Sequence, residues 1–467
     1  MENKSKRGNF SGQLGFIMAA AGSAVGLGNI WRFPYLAARD GGGLFLVCYL
    51  FLTVTFGFTL LTTEIAIGRK TRQSPLTAYK AIKPGWGGIG FLAYLVPVII
   101  LPYYCTIGGW VFKYLSVYVT GQESFAVADS YFGNYITSTP EPMIWMLIYF
   151  LITAIIVICG VEKGIEKYSK ILMPVLVVMI IGISIFSLTL SHTDANGVTR
   201  TGLQGLKIYM IPNLHGITFK KFMAVLSDAL GQLFYSISVA MGIMIAYGSY
   251  AKKETNLLSS VSQIEIFDTG IAFFAGMMII PAIVTFMGEG GMSAGPGLIF
   301  VSLPKVFDAM GGIGKLVGLV FFVIVSFAAV TSSVSIMEAI VSSMMDFFHM
   351  ERKKASIIVA IYTFIMGTIV CLGYSSLYFE LKLPNGTTAQ ILDLMDYISN
   401  NIFMPLVSFL TCVLIGWVVK PQVIIDEVEQ NGVKFNKRRL IYLVMIKFIA
   451  PVLLLFLFLQ AIGIVKL

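Results

Sequence analysis

Charge is the first thing in short supply. Only 12% of the 467 residues are charged, against roughly 25% in a soluble domain, so lipid rather than water is the expected main solvent. There are three histidines, His192, His215 and His349, all in loops or at the end of an apolar run, which leaves no nitrogen cluster for a transition metal. The five cysteines, Cys48, Cys105, Cys159, Cys371 and Cys412, lie in or beside apolar runs without a C-x-x-C pair. Small buried apolar residues are their default role, not a metal site or disulfide framework. A cleavable leader is not expected: MENKSKRGNF is polar and basic, and the first apolar run leads into further apolar sequence. H-E-x-x-H, G-x-S-x-G and paired catalytic carboxylate motifs are missing, so an enzyme is not expected. The net charge of +9 does not imply nucleic acid, because the basic residues are scattered over short connections rather than gathered in one patch.

What is present is apolar length. The chain is 57% hydrophobic, with a mean hydropathy of +0.83. Runs of about 20 apolar residues, the length that crosses ~30 Å of hydrocarbon, occur near 13–37, 43–68, 89–118, 142–161, 169–190, 222–249, 257–287, 312–345, 355–374, 391–418 and 440–465, giving eleven candidate spans. Several exceed 25 residues, which implies tilt or helix continuing into water. With the N-terminus placed inside, the connections on that side carry 21 Lys and Arg and those on the other side carry nine. The 119–141 connection, TGQESFAVADSYFGNYITSTPEP, has none. That asymmetry follows the positive-inside rule, and an odd number of spans then leaves the C-terminus outside.

The first span contradicts its own setting. GSAVGLGNIWRFP, residues 22–34, places glycines, Asn29, Arg32 and Pro34 where hydrocarbon favours none of them. A small-xxx-small packing face accounts for Gly22 and Gly26 but not for Gly28, Asn29 and Arg32. A dinucleotide-binding glycine loop lacks its preceding strand. Backbone leaves a helix at membrane depth only where it faces protein or a watery cavity. The sixth span has a small polar centre, Ser236, Ser238, Ala240 and Gly242, although serines alone can also back-bond within an intact helix. Spans 1 and 6 begin two five-span sets, 1–5 and 6–10, of opposite starting orientation. Interrupted segments at matching places in inverted halves point to a transport site.

A broken helix offers unpaired N–H groups to an anion and free carbonyls to a cation, a combination suited to a carboxylate beside a small hard cation such as sodium. Asp268 lies about half-way along span 7 and needs a partner or a proton there. Thr331, Ser332 and Ser333 lie in a row in VSFAAVTSSVSIMEA of span 8, where helix back-bonding or interhelical bonding is the simpler role. Arg32, Glu64, Asp393 and Asp396, in or near span ends, are expected to pair across a cavity.

With GSAVGLGNIWRFPYLAARDGGG, GQLFYSISVAMG and FAAVTSSVSIM on the page, the chain resembles the neurotransmitter:sodium symporter family, particularly its bacterial amino-acid transporters of the leucine-transporter type, over about residues 7–465. The resemblance implies an all-α membrane protein with eleven transmembrane helices in one transporter domain, 1–467. Residues 13–190 and 222–418 would be inverted five-helix repeats, 440–465 an accessory helix, and helices 1 and 6 broken at mid-membrane. It implies two sodium sites. The first would use the carbonyls of Ala24 and Ser236, the side chains of Asn29, Ser236 and Asp268, and the substrate carboxylate. The second would use the carbonyls of Gly22, Val25 and Ala328 with the hydroxyls of Thr331 and Ser332. The substrate would lie against Ala24, Gly26 and Gly28, with Ile100, Tyr104, Tyr235, Ser236, Ser238, Met241, Ser332 and Ile336 lining the rest of the site. Arg32 and Asp396 would form an outer gate with Gln232 and Glu64 nearby and Tyr104 and Tyr235 as a lid. Arg7 and Asp346, with Tyr250 and Phe10, would close the inner side.

Three departures from the family pattern bear on mechanism. Gly26 stands where amine-transporting relatives have an acid, leaving room for a substrate carboxylate. Asp268 stands where many members have Asn; its fixed charge implies chloride independence and leaves proton exchange open. The twelfth helix of many relatives is missing, so a monomer or weak dimer is expected. The mostly apolar subsite, with Ala240 in place of Gly removing about one methyl of volume and Met241 adaptable in shape, favours a neutral, hydrophobic amino acid of medium size over Trp. The expected function is sodium-coupled import by alternating access across a bacterial inner membrane. The alternative is an amino-acid-binding membrane sensor without net transport.

Overall fold

Hydrocarbon offers no partner to a backbone N–H or C=O, so an apolar segment satisfies these groups internally, as a helix. The computed structural model describes residues 8–194, 196–214, 216–292, 295–436 and 438–465. Its helices are α1 (Gln13–Ala24) and α2 (Gly28–Arg39), then α3 (Gly43–Thr71), α4 (Gly87–Thr120), α5 (Pro140–Ile158) and α6 (Val161–Leu188). There follow α7 (Phe219–Ser236) and α8 (Ile243–Tyr250), then α9 (Leu257–Met287), α10 (Gly312–Phe348), α11 (Arg352–Leu372) and α12 (Ile391–Val418). The short α13 (Gln422–Val428) leads to α14 (Arg438–Ala461).

Among the described residues nine helices are long and apolar enough to cross a membrane, or ten when α1 and α2, bent by 54° at their junction, count as one span. The expected eleven are therefore not reached by length and composition alone. The sixth expected run is divided between α7, which carries Lys220, Lys221 and Asp228, and the eight-residue α8.

The connections are folded too. The 119–141 segment contains a helix at Asp129–Thr137. In the 191–221 segment β1 (Ser191–Thr193) pairs antiparallel with β2 (Thr199–Thr201), so His192 lies in a strand. A helix at Gly202–Met210 follows, started by a capping box of Thr201 and Gln204. A second hairpin joins β3 (Leu381–Lys382) to β4 (Thr388–Ala389) ahead of α12.

The lipid-facing surface is apolar, with Val47 61%, Phe51 62% and Val178 71% exposed, while Trp110, Tyr49, Tyr114 and Tyr149 fill the interior. Four cysteines are buried, and Cys159, at the end of α5, departs from expectation by being exposed. A buried ion pair fastens one end of the bundle: Arg69 Nε at the end of α3 lies 2.6 Å from Glu427 Oε1 of α13. The same guanidinium donates from Nη1 to the Thr255 carbonyl at 2.7 Å, just beyond α8. Charges this deep are tolerated when paired and fully hydrogen-bonded.

Candidate binding site at the two helix breaks

The breaks face each other. Between α1 and α2 the backbone turns extended at Val25 (φ −77°, ψ 99°) and re-forms through a π-helical turn at Gly28–Arg32. Between α7 and α8 it passes through the left-handed region at Ser238 (φ 55°), Ala240 (φ 64°) and Gly242 (φ 72°). Each opening exposes backbone groups, and side chains from neighbouring helices meet them. Gln232 Nε2 of α7 donates to the Gly28 carbonyl at 3.1 Å. Ser332 Oγ of α10 donates to the carbonyls of Ser23 and Val25 at 3.2 and 3.1 Å. Glu64 Oε1 of α3 accepts the Ala240 N–H at 2.6 Å.

A cavity lies between the breaks, and the eleven residues expected to touch substrate all line it: Ala24, Gly26, Gly28, Ile100, Tyr104, Tyr235, Ser236, Ser238, Met241, Ser332 and Ile336. Ser23 and Leu27, not anticipated, line it as well; the size alternation of GSAVGLG masked them. Glycine is required by close approach at two positions. A Cβ on Gly26 would lie 2.9 Å from Ser332 Oγ and 3.3 Å from Tyr104 Oη, and one on Gly28 would lie 2.6 Å from the Tyr235 ring. The Tyr104 hydroxyl is buried without a hydrogen-bond partner among the described residues, and a buried hydroxyl left this way costs free energy until something fills the site.

Ala240 does not line this cavity, which corrects the expectation that its methyl reduces the substrate volume. Its distinction is a left-handed backbone conformation that an alanine adopts only under constraint.

Two residues of the first expected sodium site, Asn29 and Ser236, converge on a third, Asp268. Asp268 Oδ1 accepts from Asn29 Nδ2 at 2.8 Å and from Ser236 Oγ at 2.5 Å. Its Oδ2 accepts from Tyr49 at 3.0 Å, a partner that sequence reading missed. The buried acid thus has the partners its depth demands. Asn29 Oδ1 in turn accepts the Gly26 N–H at 3.1 Å, pinning the break. Residues of the second expected set are also contiguous. A Cβ on Gly22 would meet Thr331 Cβ at 3.2 Å, Thr331 Oγ1 bonds the Ala328 carbonyl at 3.1 Å, and Ser332 bonds Val25. Every donor in both sets is a neutral oxygen or a single carboxylate, which fits a hard monovalent cation, and no cluster of three His, Cys, Asp or Glu occurs among the described residues.

Several of the expected gate residues have partners that sequence reading did not anticipate. Asp396 is held by Tyr103 at 3.0 Å and Asn400 at 2.6 Å. Among the described residues it forms no ion pair with Arg32, whose guanidinium instead sits 5.8 Å from the centre of the Tyr235 ring. Arg32 and Tyr235 also border a larger outer cavity of about 180 Å³. Glu64, expected near the outer gate, is committed through Oε1 to the Ala240 N–H, where the second break needs an acceptor. On the inner side Arg7 lies outside the described residues. Asp346 Oδ2 accepts the Ser74 N–H at 2.6 Å. Phe10 packs edge-on against Tyr247 and Tyr250, and Tyr250 donates to Glu338 at 2.7 Å. Arg352 grips Glu338 with both guanidinium nitrogens, at 2.6 and 2.8 Å. Glu338 was missed by sequence reading, although its charge in VTSSVSIMEA stands within an apolar span and could have marked it. Its partner Arg352 looked like one more basic loop residue. Asp393, expected to pair across a cavity, serves instead in a capping box with Gln390 at the start of α12.

Comparison with known proteins agrees with this geometry. A sequence model of the sodium:neurotransmitter symporter family matches residues 7–134 and 134–466. The chain is 30% identical over 470 residues to the uncharacterized sodium-dependent transporter YhdH of Bacillus subtilis, covering 99% of this chain and 100% of the relative. It is 25% identical over 483 residues to the human sodium- and chloride-dependent GABA transporter 2, covering 91% and 75%. Among solved structures, MhsT in complex with L-phenylalanine superposes with a TM-score of 0.84 at 33% identity, covering 97% of this chain and all of that one.

Proposed function

The chain belongs to the sodium:neurotransmitter symporter family, as a multi-pass sodium-coupled transporter rather than an enzyme, and from that premise we propose that it imports a neutral, hydrophobic amino acid by alternating access. The observation that carries this reading is the cavity between the breaks, apolar along Ile100, Met241 and Ile336 and closed by an unpartnered tyrosine hydroxyl at Tyr104. No charged side chain lines it, so a second ionised group on the substrate would have no counter-charge. An amino acid's carboxylate fits beside Gly26 and Gly28, where the Tyr104 hydroxyl and the positive end of α2 meet it. MhsT, solved with L-phenylalanine, supports an amino acid as the class of cargo.

Sodium is co-transported. In the proposed first site it is held by Ala24, Asn29, Ser236 and Asp268, with the substrate carboxylate completing the shell, so cation and substrate bind as one unit. The proposed second site, Gly22, Val25, Ala328, Thr331 and Ser332, ties α1 to α10. The Asp268 carboxylate supplies a negative charge beside the first site, which supports chloride independence. The membrane arrangement that fits the Lys and Arg distribution has eleven crossings in inverted halves, α7 and α8 forming one of them, with the N-terminus in the cytoplasm of a bacterium and the C-terminus outside.

Uptake of a radiolabelled amino acid, chosen by a thermal-shift screen in sodium, into proteoliposomes tests this reading. An inward sodium gradient should drive accumulation, with chloride replaced by gluconate making no difference, and Asn29→Ala should remove the sodium dependence. Equal uptake in potassium would sink the proposal. Binding without counterflow would point to a sensor instead.

A further inference from the structure

Away from the cavity, the starts of α9 and α14 enclose an open groove of about 950 Å³, lined among others by Ser259, Ser262, Lys434, Phe435 and Arg438. Both helices are apolar spans beginning at this point, at Leu257 and Arg438, so the groove lies where hydrocarbon gives way to headgroups. Exposed apolar side chains follow on both helices, with Ile266 on the face of Ser259 and Ser262 and Leu440 early in α14 each 70% exposed.

Its cationic lining is built rather than loose. The Arg438 guanidinium sits 4.6 Å from the centre of the Phe58 ring, donates from Nη1 to Ser262 Oγ at 2.9 Å and lies 3.8 Å from Glu265 Oε2. Three contacts, one on α3 and two on α9, fix its position, as a preorganised planar fork requires. Lys434 is exposed and has no ion-pair partner among the described residues. The nearby acids are occupied: Glu265 is buried behind Arg438, and Glu429 Oε1 accepts the Phe435 N–H at 3.1 Å. The groove thus offers two basic side chains, Lys434 and the fixed Arg438, beside hydroxyls at Ser259 and Ser262 and an apolar floor that includes the buried Phe435.

We infer that this groove binds the phosphate of an anionic phospholipid, with Lys434 and Arg438 as its counter-charges and the acyl chains descending along Ile266 and Leu440. A soluble anion would gain nothing from the apolar walls, whereas a lipid uses both. The inference depends only on the chain lying in a membrane, not on its substrate.

The test uses the full-length chain in detergent, titrated with phosphatidylglycerol or phosphatidylcholine, with bound lipid counted by native mass spectrometry. Wild type should retain phosphatidylglycerol in preference. Lys434→Gln, at an exposed side chain, should weaken that retention about fivefold, the effect of one basic residue at a membrane surface. Lys354→Gln, at the exposed start of α11, should leave it unchanged. Arg438→Gln should weaken it as well, but that variant also loses the Phe58 and Ser262 contacts, so Lys434 decides. Equal retention of the two lipids, or a Lys434→Gln variant that binds like wild type, overturns the inference. Displacement of phosphatidylglycerol by equimolar inorganic phosphate would assign the groove to free phosphate and overturn the lipid assignment.

Discussion

The two interruptions that frame the cavity are made by different physics. Between α1 and α2 no residue from 25 to 32 has a positive φ; the chain steps through one extended residue and a π-helical turn. Side chains of Gln232, Asn29 and Ser332 take up the backbone groups it frees. Between α7 and α8 three residues in six are left-handed, two of them not glycine. Glu64 meets that backbone at the Ala240 N–H, while the Ser238 hydroxyl turns to the other break and donates to the Ser23 carbonyl at 3.0 Å. A break whose residues are chosen for it relaxes into allowed backbone; one imposed by its neighbours carries strain.

That contrast can be broken at its supports. Glu64→Ala should have the largest effect, because it leaves the Ala240 N–H buried with no acceptor. A loss of about 3 kcal/mol, read as a lower melting midpoint in detergent, should accompany loss of substrate binding. A variant that melts like wild type would show that the second break holds itself. Gly28→Ala acts on the first break by volume alone. Its methyl, 2.6 Å from the Tyr235 ring, should cost about 2 kcal/mol of overpacking and weaken substrate binding, while Gly182→Ala inside α6, where a Cβ meets nothing within 4 Å, should not destabilise. If both behave alike, close approach at Gly28 is not what selects glycine. The smallest effect has the opposite sign. Ala240→Gly relieves roughly 1–2 kcal/mol of left-handed strain and gives back roughly 0.5–1 kcal/mol in chain entropy. The melting midpoint should rise by the equivalent of about 0.5 kcal/mol; a fall would mean that Ala240 is not strained.

How far the sequence could be read tracks the same difference. The first break was legible because Gly, Asn, Arg and Pro are costly in a membrane helix and stand together in GLGNIWRFP. The second was ambiguous, since Ser and Ala sit in intact helices as readily as in broken ones. The cavity lining was legible through family resemblance, residue by residue. Tyr49 and Tyr103 were not, because a tyrosine in an apolar run reads as packing until its hydroxyl is seen against Asp268 or Asp396. The bond from the Ala240 N–H to Glu64 was missed for a related reason: its helix carries no mark of which neighbour it faces.

By itself the sequence determined that this chain lives in lipid, that its hydrophobic runs are helices, and that one helix opens where its residues cannot afford to stay closed. Those follow from local costs, the transfer of side chains and the self-satisfaction of backbone. Only the tertiary structure decided which groups meet. The α3–α8 contact is so close that a Cβ on Gly68 would lie 2.0 Å from the Ile245 carbonyl oxygen. That proximity helps to bring Glu64 against the Ala240 N–H and makes α8 begin where it does. Hydrogen-bond partners 176 residues apart in the chain are chosen by packing, and packing is a property of all the helices together.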